Sequence, residues 1–116
     1  MVCLSKSAMV TAAQEAGIPY VEEVFADRAY THEGKLVPRS REGAVLHDPD
    51  IIAQRVLNMV RDRTVIAIDG TGIPLNAETI CVHGDTPGAF EMIKAIRRSL
   101  EEANVVLKPF RTRDSI

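Results

Sequence analysis

With 116 residues the chain has room for one domain. Fourteen Lys and Arg against sixteen Asp and Glu give a formal charge of −2, too balanced for a surface that holds nucleic acid or an anionic membrane by charge. Apolar residues are 46% and charged residues 26%, which is globular rather than disordered composition, and no run approaches the roughly 18 apolar residues of a membrane span. Aromatic residues are only 4% and Trp is absent, so aliphatic side chains and Ala must build the core. Cys3 and Cys81 lie far apart, without the spacing of a zinc knuckle or a disulfide framework. The opening Met-Val-Cys-Leu-Ser-Lys lacks the layout of a signal peptide. Both points set an expectation of reduced cysteines and a cytoplasmic location.

Helical spacing of Ala8, Met9, Ala12, Ala13 and Ala16 predicts a helix over about Ser5–Ala16, stopped by Gly17 and Pro19. The β-prone stretch 20–26 reads as a strand ending at Asp27-Arg28. From Asp27 to His47 there is no periodicity; His32-Glu33-Gly34-Lys35 is a turn that closes a small hairpin onto Leu36-Val37. A stretch of ~20 residues without a clear element is uncommon in a compact domain and is often functional. Asp48 as N-cap and Pro49 at the first helical position open a second helix, with Ile52, Val56, Met59 and Val60 as its apolar stripe. Residues 64–68 form a strand, 69–72 a turn, and 73–75 a segment that pairs back. Residues 79–82 form an apolar strand, buried on both faces if the sheet is parallel. A last helix runs from about Pro87 to Ala103, capped by Asp85 or Thr86, with Ala89, Ile93, Ile96, Leu100 and Ala103 as its apolar face. One domain over residues 1–107 and a flexible tail over 108–116 complete the reading. The alternation predicts an α/β fold with mainly parallel strands, opened by a helix with no strand before it.

In such folds ligands bind at the carboxyl ends of the strands. Two strands here end in polar clusters: Glu23-Val24-Phe25-Ala26-Asp27-Arg28, and Cys81-Val82-His83-Gly84-Asp85-Thr86. Strand alternation sends Glu23, Phe25 and Asp27 to one face and Val24 and Ala26 to the other. His83 with Asp85 has three readings: an acid/base pair in which the carboxylate orients the imidazole, two ligands of a divalent metal, or a structural histidine beside a helix cap. Gly84 and Thr86, at a helix N-terminus, suit a phosphate or carboxylate, although no GxxxxGK[ST] or GxGxxG pattern is present. Arg28 either grips an anionic substrate or pins the long loop through an internal salt bridge, and Arg39 has the same two readings. His32 and His47 read as surface residues, Cys81 as core, and Asp69-Gly70 as a turn.

Glu23 to Tyr30, then Leu36-Val37-Pro38-Arg39 and Gly43-Ala44, then Ile80 to Ala89 together resemble the LamB/YcsF family. These are lactam-utilisation proteins identified as the A subunit of bacterial-type 5-oxoprolinase. The resemblance implies a (β/α) barrel of the glycoside hydrolase/deacetylase type, with strands alternating with helices. It implies ATP-dependent opening of 5-oxoproline to L-glutamate, a small-molecule lactam as substrate, and partner subunits B and C. It also implies catalytic roles for Asp27, His83 and Asp85, phosphate contacts from Arg28 or Arg39, and a divalent metal at His83 and Asp85 as a further option. The family's opening strand and its Gly-Phe-His-Ala-Gly-Asp-like motif are missing here. The expectation is therefore the C-terminal half of a barrel, inactive alone, which pairs with the missing half or with itself. The alternatives are an inactive binding or regulatory module and, by fold analogy alone, metal-dependent carbohydrate deacetylation.

Overall fold

The computed structural model describes residues 1–83 and 88–107. It opens with a strand, β1 (Val2–Leu4), where the sequence reading expected none. Three residues are too short to show a period, so pairing alone reveals the strand. Helix α1 (Ala8–Ala16) starts three residues later than expected, because Lys6 takes a left-handed turn (φ 62°) between strand and helix. Its buried residues are Val10 and Ala13, while Met9 lies outside. Gly17 ends it in the left-handed conformation (φ 71°), which Gly adopts without a Cβ clash.

Strand β2 (Val21–Phe25) follows and pairs in parallel with β1, Val2 opposite Val21 and Leu4 opposite Glu23. The segment 27–47 has no helix or named strand, as expected. It is nevertheless folded. Arg28 bridges to Val45 and Tyr30 to Leu36, and Ala29, Val37 and Ala44 bury one another. The Thr31 hydroxyl accepts the Glu33 and Lys35 N–H groups at the expected turn.

Helix α2 (Pro49–Arg61) is capped as predicted: the Asp48 carboxylate accepts the Asp50 and Ile51 N–H groups at 3.0 and 3.4 Å. Strands β3 (Thr64–Ile66) and β4 (Gly72–Pro74) form a separate antiparallel hairpin. Strand β5 (Thr79–Cys81) then returns to the far side of β2, with Glu23 opposite Thr79 and Phe25 opposite Cys81. The order of the parallel sheet is β1-β2-β5. Strand β5 is half-buried, not buried on both faces, because it is an outermost strand.

Helix α3 (Ala89–Glu102) begins after Gly88, later than the expected Pro87. Asp85, Thr86 and Pro87, expected to cap and start it, lie outside the described residues, as does the expected tail 108–116. Its buried face is Ala89, Met92, Ile96 and Leu100, whereas Ile93 is 46% exposed. Met92 keeps the three- and four-residue spacing to Ala89 and Ile96, and Ile93 falls on the flank of that stripe.

Two larger clusters form the core. Ile52, Ala53, Val56 and Leu57 of α2 meet Met92, Ile96 and Leu100 of α3, with Ala26 beneath them. Met59 of α2 meets the hairpin residues Val65, Ile73 and Leu75, together with Val24 and Tyr30. Val24 and Ala26 are thus the inward residues of the β2 end, as alternation predicted, and Glu23 and Phe25 face the other way beside β5. No helix among the described residues is long and apolar enough to cross a membrane.

Candidate functional site

The carboxyl ends of β2 and β5 lie side by side because the two strands are parallel neighbours. That places Asp27, two residues past Phe25, beside His83, two residues past Cys81. The His83 Nδ1 sits 2.9 and 3.0 Å from the two Asp27 carboxylate oxygens. Asp27 is buried, with a side chain 1% exposed, whereas that of His83 is 21% exposed. In the neutral ring this arrangement puts the proton on Nδ1 and leaves Nε2 as an acceptor. The Phe25 ring packs against the imidazole, centroids 5.7 Å apart. No described residue bonds Nε2, and a buried carboxylate that orients such an imidazole is a general-base arrangement.

Asp27 is thus a partner of His83, a contact that the sequence reading did not draw. Asp85, Gly84 and Thr86 lie outside the described residues. Arg28 pins the long loop, but through a carbonyl instead of a salt bridge: its Nη2 donates to the Val37 oxygen at 2.8 Å. The Arg28 side chain is buried, and its Nε has no hydrogen-bond partner among the described residues. Arg39 is exposed on the same loop. His32 and His47 are exposed, as expected. Cys3 and Cys81 are free thiols. Burial pushes the Cys81 thiol pKa up, and the nearby Glu23 and Asp27 charges add to the effect, so Cys81 is a poor nucleophile.

Fit to a metal can be judged from the donors. Asp27 and His83 already bond to each other, and no group of three or more His, Cys, Asp and Glu stands ready to hold an ion among the described residues. Asp85, the other expected ligand, lies outside the described residues.

Three polar residues that brace strand β2 were missed by the sequence reading. Arg55 of α2 donates from Nη1 to the Phe25 and Ala26 oxygens, at 3.0 and 2.6 Å, and from Nη2 to the Arg28 oxygen. The Tyr30 hydroxyl accepts the Phe25 N–H at 3.0 Å, and the Tyr30 ring lies 5.5 Å from the Arg55 guanidinium. Burial raises the Tyr30 pKa, opposed by the Phe25 hydrogen bond and by Arg55. Burial lowers the Arg55 pKa to about 10, opposed by Tyr30 and Asp27, and the guanidinium stays charged at neutral pH. Lower on β2, the buried Glu22 carboxylate accepts the Ser5 hydroxyl and Lys6 N–H at 3.2 Å and the Asn76 amide at 3.0 Å. Its signal was present: Glu22 shares a strand face with Val24 and Ala26. Arg55 signalled less, as a charge on the margin of an apolar stripe.

Residues 1–115 match the LamB/YcsF family. The chain is 47% identical over 111 residues to the A subunit of 5-oxoprolinase from Nitrobacter hamburgensis, covering 96% of this chain and 44% of that protein. It is 50% identical over 107 residues to the A subunit of 5-oxoprolinase from Streptomyces griseus, covering 92% of this chain and 43% of that protein. Its fold is similar to the crystal structure of a lactam utilization protein from Thermus thermophilus, with TM-score 0.86 and 38% identity over 94% of this chain and 43% of that one. The chain thus spans less than half the length of these relatives.

Proposed function

Because this chain belongs to the LamB/YcsF family, we propose that it contributes Asp27 and His83 to an ATP-dependent 5-oxoprolinase that opens the 5-oxoproline lactam to L-glutamate. The observation that carries this reading is the buried Asp27 carboxylate against His83 Nδ1, at the carboxyl ends of two adjacent parallel strands. Amide resonance makes a lactam carbonyl a poor electrophile. Phosphoryl transfer from ATP to its oxygen breaks that resonance and lets water attack the carbon. His83 Nε2 takes the proton from that water, and Asp27 steadies the imidazolium that forms. The imidazolium returns the proton to the lactam ring nitrogen as the C–N bond breaks, ADP having left at the first transfer. A second water hydrolyses the resulting acyl phosphate to the glutamate carboxylate and inorganic phosphate. Arg39, exposed on the loop that Arg28 pins, offsets phosphate charge during the transfer, Gly84 and Thr86 contact the phosphate, and Asp85 joins His83 in handling protons.

The rest of the proposal concerns assembly. Strands β1 and β5 are the outermost strands of the sheet, and the chain matches 43–44% of its relatives' length. Both facts favour one side of a (β/α) barrel whose other side comes from residues beyond this sequence. On this reading the working enzyme also needs subunits B and C, and the chain alone turns nothing over.

The test is glutamate formation from ATP and 5-oxoproline, by the chain alone and by the chain combined with subunits B and C and the remaining portion of a full-length relative. Silence alone and turnover in the assembly support the reading. His83→Ala in the assembly should abolish turnover; unchanged activity would reduce His83 to a structural residue.

A further inference from the structure

We infer that Arg55 is a positioning residue for the Asp27–His83 pair, holding the strand end that carries Asp27 from a helix that contributes nothing else to the site. The inference rests on the reading of that pair as the proton-handling group.

Asp27 lies just beyond β2, where regular pairing stops. Past Phe25 the backbone polar groups need partners from elsewhere if Asp27 is to keep one position. Arg55 supplies three of them. One guanidinium serves the Phe25, Ala26 and Arg28 oxygens, bracketing Asp27 from both sides. The remaining groups close the bracket: the Phe25 N–H bonds Tyr30, the Ala26 N–H bonds the Cys81 oxygen, and the Asp27 oxygen accepts the Leu46 N–H. A planar fork with five N–H donors can serve three carbonyls at once; a lysine ammonium of the same charge cannot match that geometry.

The stem of Arg55 is itself fixed. It leaves α2 between Ile52 and Val56, both fully buried, and its head lies against the Tyr30 ring. Movement of α2 would thus be transmitted to Asp27 and on to the His83 ring. Burial of a guanidinium is costly, and here three backbone dipoles, one aromatic face and the nearby Asp27 charge offset that cost. Such an arrangement is more than a generic strand end requires.

The test uses the full 116-residue chain with ¹⁵N-labelled histidine, in the wild type and in Arg55→Met and Arg55→Lys. In the wild type, neutral His83 should carry its proton on Nδ1. Arg55→Met should at least halve the Nδ1–H share while the chain stays folded by circular dichroism, and Arg55→Lys should fall between the two. In the reconstituted assembly Arg55→Met should lower kcat about 10- to 100-fold with KM nearly unchanged, the pattern of lost geometry rather than lost binding. A wild-type Nδ1–H share in folded Arg55→Met overturns the inference. If Arg55→Met does not fold, Arg55→Lys decides on the same readout, and an unchanged share overturns it. Full activity of His83→Ala beside an altered ring in the Arg55 variants would refute the catalytic reading while leaving the positioning role standing.

Discussion

Glu22→Ala should destabilise the chain by about 3 kcal/mol. The carboxylate is buried and joins three segments: Ser5 and Lys6 just after β1, its own strand β2, and Asn76 on the approach to β5. Removing it strips the acceptor from the Ser5 hydroxyl in a buried bond, worth about 2 kcal/mol for a group left unpaired. The Lys6 N–H and the Asn76 amide sit in partly buried bonds where water can substitute, so each adds about 0.5 kcal/mol. Glu22→Gln keeps one acceptor oxygen but turns an NH₂ toward another donor, so about half the loss should remain. Urea unfolding followed by circular dichroism measures both variants. The midpoint should fall while the slope stays the same, and a thermal scan should show Tm lowered by about 10 °C for Glu22→Ala. A loss under about 1 kcal/mol would refute the reasoning, because it would mean that burying the carboxylate costs as much as its hydrogen bonds return.

Asp48→Ala removes the side-chain acceptor for two N–H groups of α2 and should cost about 1 kcal/mol in the same urea assay. The Tyr30 phenol ionises above its ordinary 10.0 in the folded chain, so the unfolded chain gives up that proton first as pH rises. Stability contributed by Tyr30 is therefore full below about pH 10 and declines above it, and the advantage of wild type over Tyr30→Phe in urea should shrink as pH rises above about 10. The raised Cys81 pKa means less thiolate near about pH 8, so iodoacetamide should label Cys81 more slowly than a free thiol, and Glu23→Gln should speed the labelling by removing a neighbouring charge. An unaltered rate in Glu23→Gln would show that burial and Asp27, not Glu23, govern that thiol.

Local signals carried the elements well. Asp48-Pro49 announces α2, Gly17 ends α1, and Asp69-Gly70 turns the hairpin, each through short-range chemistry visible in the residues themselves. What depends on pairing was harder. Strand β1 has too few residues for a pattern, and its existence depends on β2 lying alongside. The candidate site divides the same way. Asp27 and His83 were legible as polar residues at strand ends, but their contact depends on β5 lying next to β2, which no local pattern states. Local spacing offers His83 the carboxylate nearest along the chain, Asp85, which lies outside the described residues, while the contact described is with the carboxylate nearest across the sheet. Arg55 escaped notice because a charged residue on a helix reads as solvated until its three carbonyl partners are in place.

The pairing of β2 with β5 joins Glu23 to Thr79, 56 positions apart, whereas β1 meets β2 across 19, as Val2 opposite Val21. Closing the longer span costs roughly 1 kcal/mol more in chain entropy. The helix and hairpin between the two strands must be largely in place before that closure is favourable, so we expect the β2–β5 contact to be a late event in folding. Asp27 and His83 span the same 56 positions. Their contact then serves as a natural end-point marker in refolding: a chain whose His83 resonance has reached its native position has completed its slowest long-range step.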